Sequence, residues 1–101
     1  MPEVARKTDS VDTGHACDGT TTLDTPTGND NVYAEGQLIC RLGDLTVSHD
    51  ILVGSACVAH VEKIKGSSET VYVRGKLMAR KTDAADAGSI TSGAETVFNT
   101  L

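Results

Sequence analysis

Short apolar segments separated by glycines and charged residues dominate the pattern of this chain. Residues 71–73 and 76–79 are mostly apolar and flank Arg74-Gly75, which predicts a β-hairpin with a two-residue turn. Residues 32–41 have the same pattern, with Glu35-Gly36 at the turn. No window keeps the 3.6-residue period of an amphipathic helix. The pattern therefore predicts an all-β domain of short β-hairpins.

Three further segments complete the predicted elements. Residues 51–53 form a short apolar run, and residues 58–64 alternate in part, so each is predicted to be a strand. Residues 83–87 are rich in alanine and have the highest helix propensity of the chain, but Gly88 follows directly. We therefore expect a turn there rather than a helix.

One phrase of the sequence occurs about three times. VYAEGQLICR at residues 32–41 returns as VYVRGKLMAR at residues 71–80, an offset of 39 residues. The second half of the phrase also occurs near the N-terminus, at residues 4–9. Its first half also occurs near the C-terminus, at residues 95–98. Repeats of this length are typical of stacked or radially arranged units. The sequence thus predicts a small domain of three pseudo-threefold repeats.

Each repeat contains an arginine followed three residues later by an aspartate. The pairs are Arg6 with Asp9, Arg41 with Asp44 and Arg80 with Asp83. Taken singly, such a pair is expected to be a solvated ion pair that adds little stability. Its recurrence in all three repeats favours a shared turn.

The composition predicts a single domain, residues 1–101, with a thin core. Hydrophobic residues make up 39% of the chain, but aromatic residues only 3%, so the core must consist mainly of small aliphatic side chains. Small domains of this kind often need a metal, disulfides or a partner. The odd number of cysteines and the lack of a C-x-x-C pair argue against a disulfide framework. Cys40 takes the place of Ala5 and Ala79, which predicts a small buried side chain.

Charge and hydropathy exclude several classes of protein. The net charge of −5 with scattered cations argues against a nucleic-acid surface. No apolar run reaches the length of a membrane span, and the charged N-terminal residues exclude the apolar region of a signal peptide. We expect synthesis in the cytoplasm without a signal peptide.

Three histidines are the candidate metal ligands. His15 follows Asp9 by six residues and His49 follows Asp44 by five, so corresponding places in two repeats carry an imidazole. Such places converge near the axis of a threefold arrangement. His60 lies three residues after Cys57, and imidazole and thiolate are the usual zinc ligands. Against this, three histidines are an ordinary number, and their spacing matches no sequential zinc signature.

The repeated phrase resembles a known family. The pattern V-Y-x-x-G-x-x-x-A-R followed by x-x-D is similar to the proline–alanine–alanine–arginine (PAAR) repeat, whose members typically read V-F-x-N-G-K-P-A-A-R-x-G-D. The corresponding stretches are residues 32–44 and 71–83, with half-phrases at each end, so the resemblance covers essentially the whole chain. The family proline is replaced by Leu38 and Leu77, and the turn asparagine by Glu35 and Arg74.

The resemblance implies a fold, a cofactor and a partner. It implies a small conical β-domain whose base caps a homotrimeric β-helical spike, one copy per trimer, and whose point forms the membrane-piercing tip of a contractile phage tail or a type VI secretion system. Family members hold a zinc ion near the tip with three histidines and one cysteine. His15, His49 and His60 match the three histidines. The place of the family cysteine is Ala87, so we expect Cys57, or alternatively Cys17 or a water, as the fourth ligand.

The recurring strand segments are the predicted contact with the spike. An open spike end exposes unpaired strand edges, so apolar contacts and main-chain hydrogen bonds are expected there. The target membrane is a transient partner. The predicted spike-binding residues are Val32, Tyr33, Ala34, Val71, Tyr72, Val73, Val97 and Phe98.

Two other functions were weighed against this non-enzymatic role. A small zinc-dependent hydrolase would use three histidines and an open water position, with Asp18, Asp50 or Glu62 as the nearest carboxylates. No recognisable catalytic motif supports it. A calcium module would use Asp18, Asp24 and Asp30, but their six-residue spacing differs from that of an EF-hand loop.

Overall fold

The chain is all-β and consists of short antiparallel strands. A computed structural model describes residues 3–67 and 71–94. Its strands, in chain order, are β1 Ser10–Asp12, β2 Thr20–Thr22, β3 Tyr33–Ala34, β4 Gln37–Leu38, β5 His49–Val53, β6 Ala56–His60, β7 Tyr72–Val73, β8 Lys76–Leu77, β9 Ala84–Ala85 and β10 Gly88–Ile90. The described residues form no helix, and so none that could cross a membrane.

The strands pair into one small sheet and three hairpins. The sheet has the order β2-β1-β10-β9, and β3-β4, β5-β6 and β7-β8 pair separately. Both predicted two-residue turns are present: Glu35-Gly36 has φ values of 49° and 82°, and Arg74-Gly75 of 51° and 85°. Two consecutive residues with positive φ define the type I′ turn that matches the twist of a hairpin. Residues 83–87 form no helix, as expected, but the predicted turn is confined to residues 86–87, because Ala84–Ala85 form strand β9 of the β9–β10 hairpin.

Three segments of the chain meet in a ring of main-chain hydrogen bonds. The Ala5 N–H donates to the Ala79 carbonyl at 3.0 Å, the Ala79 N–H to the Cys40 carbonyl at 3.0 Å, and the Cys40 N–H to the Ala5 carbonyl at 3.1 Å. Each segment therefore donates to one neighbour and accepts from the other. All three residues have 0% exposure, so only a side chain as small as alanine or cysteine fits.

The same Arg–Asp turn follows the ring in each segment. The carboxylate oxygen Oδ2 of Asp9, Asp44 or Asp83 accepts the backbone N–H of the arginine three residues earlier, at 2.7 Å in every case. These carboxylates are 4%, 1% and 7% exposed. The expectation of solvated ion pairs is therefore wrong, whereas the expectation of a shared turn is confirmed. A buried carboxylate holds the turn because it satisfies a main-chain donor.

Buried side chains from corresponding positions of the three segments make up most of two core clusters. Corresponding positions supply one side chain each, which explains how a chain almost without aromatic residues fills its interior. The buried sets at corresponding positions are Val4, Ile39 and Met78; Ala5, Cys40 and Ala79; Leu23, Ile64 and Ile90; and Val11, Thr46 and Ala85.

The β5–β6 hairpin is tied to the loop after β1 by a disulfide between Cys17 and Cys57. The segment at Cys17 also bridges to Ile51 of β5. The expectation that the chain has no disulfide is therefore wrong. An odd number of cysteines still allows one pair, and the sequence does not reveal which two thiols the fold brings together. The third cysteine, Cys40, is free and buried, as predicted.

Candidate metal centre

Four side chains from separate parts of the chain converge on one point. His49 and His60 face each other as the first register pair of the β5–β6 hairpin. His15 comes from the loop between β1 and β2, and Asp86 from the tight turn between β9 and β10. Asp86 has a φ of 55°, a left-handed conformation that aspartate tolerates better than most residues. One ligand atom from each of the four lies within 4.8 Å of the others.

The donor atoms of the cluster are close together. The Asp86 carboxylate oxygen Oδ2 lies 2.8 Å from Nε2 of His15, 2.8 Å from Nε2 of His49 and 3.3 Å from Nε2 of His60. The Nε2 atoms of His15 and His49 are 3.2 Å apart. The side chains of His49 and Asp86 are only 2% and 4% exposed, whereas that of His60 is 20% exposed. The cluster is thus buried on one side and close to the surface on the other.

The opposite ring nitrogens of two histidines are held by main-chain carbonyls. Nδ1 of His15 lies 3.1 Å from the Ala16 carbonyl, and Nδ1 of His49 lies 2.9 Å from the Val47 carbonyl. A carbonyl accepts only, so these contacts place the proton on Nδ1 and leave Nε2 as the free lone pair. This arrangement is usual for metal-binding histidines, because it fixes the tautomer and the ring orientation.

The geometry of the cluster fits a divalent metal ion. Nε2 lone pairs and a carboxylate oxygen repel one another at these distances unless a positive charge lies among them. Metal–ligand bonds of about 2.0–2.1 Å give a tetrahedron with edges of about 3.3 Å. The three Asp86–histidine separations and the His15–His49 separation are 2.8–3.3 Å, at or somewhat below that edge length. His15, His49, His60 and Asp86 can therefore hold a metal ion with four protein ligands, the arrangement of structural sites.

The three predicted histidines meet as expected, but the fourth group differs from the prediction. Cys57 and Cys17 are bonded to each other, and a disulfide sulfur is not the thiolate that zinc binds. Asp86 supplies the fourth donor instead. It directly precedes Ala87, which the resemblance aligns with the cysteine of the PAAR family, so an acidic residue next to Ala87 was the signal in the sequence. The main chain at the β9–β10 turn decides which of the two neighbouring residues points inward.

Protonation couples the members of the metal-free cluster. Burial disfavours the imidazolium form of His15, but the hydrogen bond that its protonated Nε2 donates to Asp86, together with the Ala16 carbonyl and the charge of Asp86, outweighs burial and raises the pKa of His15. Burial likewise opposes ionisation of Asp86, but hydrogen bonds from the three histidines lower the pKa of its carboxyl group. In the absence of a metal, these contacts favour a protonated His15 beside an ionised Asp86.

We expect metal-free and metal-loaded protein to respond to pH in opposite directions. The raised pKa of His15 stabilises the metal-free fold below the ordinary value of 6.5, and this stability is lost as the pH rises through the raised value. The lowered pKa of Asp86 adds stability above the ordinary value of 3.8 that is lost on acidification through the lowered value. Metal-free protein should thus be most stable between about pH 4 and pH 6.5.

Metal-loaded protein should instead become more stable from about pH 5 to pH 7.5, because metal binding requires neutral imidazoles. Thermal denaturation across pH, with and without a chelator, measures both trends. Parallel pH profiles in the two states would contradict a metal held by these histidines.

The predicted spike-binding residues divide into exposed and buried groups. Tyr33 and Tyr72 are 58% and 64% exposed, whereas Ala34 and Val73 are 3% and 6% exposed and belong to the core. Strand alternation turns these two side chains inward, so they pack in the core, and the contact of their strand segments with a spike stays a prediction. Val32 and Val71 are partly buried against the same core cluster. Val97 and Phe98 lie outside the described residues.

Comparison with known proteins adds no assignment. No protein-family model matches this chain, and no curated protein is significantly similar to it.

Proposed function

We propose that this protein is the metal-stabilised tip of the trimeric β-helical spike of a contractile injection machine, with no catalytic turnover of its own. The observation that carries the proposal is the ring formed by Ala5, Cys40 and Ala79. A single chain that caps a homotrimer must offer three similar surfaces to three identical partners. Three segments that share a hydrogen-bonded ring, an Arg–Asp turn and buried side chains at corresponding positions meet that requirement.

The β3–β4 and β7–β8 hairpins are the proposed contact with the spike. They have the same turn type and present Tyr33 and Tyr72 at corresponding exposed positions. Tyrosine is enriched in protein interfaces because it combines a large apolar ring with a polar hydroxyl group. The third contact would come from the C-terminal residues that include Val97 and Phe98.

We propose zinc as the ion of the metal centre. Zinc has no geometric preference of its own, binds histidine nitrogen and aspartate oxygen, and is four-coordinate in structural sites. Asp86 would give the ion a fourth protein ligand, and a catalytic zinc usually has three protein ligands and a water, so the ligand set favours a structural role over the hydrolase alternative. Elemental analysis of untagged protein should find one zinc per chain. Finding one equivalent of a different metal would overturn the assignment of the ion as zinc but not the assignment of the metal site.

The tip role predicts a defined stoichiometry. Mixed with the purified trimeric spike protein of the same genome, this chain should give a complex of one copy per trimer in native mass spectrometry. Tyr33→Asp combined with Tyr72→Asp should abolish the complex, because a charge would be buried against an apolar end. Val53→Glu at the remote β5–β6 turn is the matched control and should leave the complex intact. A three-to-three complex, or binding to the side of the spike, would rule the model out.

A further inference from the structure

The β5–β6 hairpin exposes apolar side chains and has no charged residue around its turn. Charged residues make up 23% of the chain, yet residues 51–59, which span its turn, include none. Leu52, Val53 and Val58 are 46%, 58% and 42% exposed. Residues 56–59 are all exposed as well, so both faces of the hairpin meet solvent.

The other exposed hairpins have a different chemistry. The β3–β4 turn contains Glu35, and the β7–β8 hairpin contains Arg74 and Lys76. A mixture of tyrosine and charged groups suits a protein interface with a polar rim. A protein interface usually covers one face of a hairpin. An uncharged hairpin with apolar side chains exposed on both faces is better matched to an environment that is apolar on both sides.

The position of this hairpin suits contact with a surface. The register starts at the metal-centre pair His49–His60 and ends four residues later at Val53–Ala56. At about 3.3 Å per residue, the turn projects about 13 Å beyond the metal centre. The disulfide between Cys17 and Cys57 and the hydrogen bond from the Leu52 N–H to the Ala16 carbonyl tie the hairpin to the loop after β1. It is therefore a braced projection rather than a free loop.

We infer that the β5–β6 hairpin inserts into the interfacial region of a lipid bilayer. The depth of an interfacial anchor, about 5–10 Å, is within the reach of the uncharged segment and leaves Asp50 and Glu62 outside the apolar region. Deeper insertion is disfavoured because hydrocarbon cannot satisfy main-chain groups at a strand edge. This inference rests on the proposed tip role for its biological setting, but the contact itself belongs to the chain alone.

Vesicle binding of the isolated, metal-loaded and disulfide-bonded chain tests the inference. The chain has no tryptophan, so Ser55→Trp at the hairpin turn provides a single fluorophore, and Tyr72→Trp provides the matched control on a charged hairpin. Uncharged phosphatidylcholine vesicles avoid repulsion of the acidic chain. We expect a blue shift of the Ser55→Trp emission and quenching by brominated lipid, with neither change for Tyr72→Trp.

Charge substitutions complete the test. Val53→Glu and Val58→Glu should each weaken flotation with vesicles by about tenfold or more, because a carboxylate is costly in the lipid interface. Metal content and melting temperature check that both variants are folded, which is expected since both positions are exposed.

The outcomes separate this inference from the tip role. Equal blue shifts at both tryptophan positions, or no vesicle binding by the chain, would overturn lipid insertion and leave spike capping untouched. Saturable binding of the hairpin to a purified membrane protein without any binding to lipid would overturn it in favour of a protein partner. Loss of the one-per-trimer complex with intact vesicle binding would overturn the tip role alone.

Discussion

His49→Ala should lower the melting temperature of the metal-loaded protein by about 10 °C or more, since each kcal/mol corresponds to about 4–8 °C in a domain of this size. The His49 side chain is 2% exposed, and its Nε2 lies 2.8 Å from the Asp86 carboxylate. Its loss removes a metal ligand, and for a structural metal the binding free energy is also folding free energy. The thin aliphatic core gives the fold little with which to compensate.

The control for this prediction is Asp30→Ala, which removes an exposed charge outside the cluster. Its effect should stay within about 0.5 kcal/mol. A chelator should lower the melting temperature of the unmodified protein and of Asp30→Ala by similar amounts but have little effect on His49→Ala. Equal melting temperatures of the unmodified protein with and without a chelator would show that no structural metal is present. His60→Ala should behave like His49→Ala, because both imidazoles face the same carboxylate.

Asp44→Ala should destabilise the fold by about 3–5 kcal/mol, the typical cost of leaving one partner of a buried ion pair alone. Asp44 and Arg41 are 1% and 3% exposed. The Arg41 guanidinium donates to the Arg74 carbonyl at 3.0 Å, and Gly28 packs so close to it that an added Cβ would lie 2.5 Å from Nη2. The charge therefore has no room to move into solvent when its carboxylate is removed.

The two other Arg–Asp turns provide internal comparisons. The side chains of Arg6 and Arg80 are 16% and 23% exposed, against 4% for Arg41. Asp9→Ala and Asp83→Ala should therefore cost less than Asp44→Ala, because water can solvate the released cation. Urea denaturation of the three variants measures the order. A further comparison is Asp44→Ala with Arg41→Met, which removes both charges and should recover part of the loss. Equal losses at all three turns would contradict the role of burial.

Short-range features of this fold could be predicted from the sequence. The two-residue turns at Glu35-Gly36 and Arg74-Gly75 depend on neighbouring residues alone, and both occur where the pattern predicts them. The Arg–Asp turn spans three residues and recurs with the same 2.7 Å hydrogen bond. The meeting of His15 and His49 was predicted because corresponding places in two copies of one phrase converge.

Long-range pairing was decided by the tertiary structure. Cys17 and Cys57 are 40 residues apart, and Asp86 lies 71 residues from His15. Such pairs depend on how the three segments and the loops and hairpins between them pack against one another. No local sequence pattern predicts this packing. The burial of the Arg41 guanidinium likewise depends on the β7–β8 hairpin, because the Arg74 carbonyl accepts its hydrogen bond. The sequence alone thus determined the repeated turns, the hairpins and three of the four ligands, because these follow from local geometry and from repetition. Only the packing of segments that are distant in sequence decided the fourth candidate ligand, the disulfide and the different exposure of three similar ion pairs.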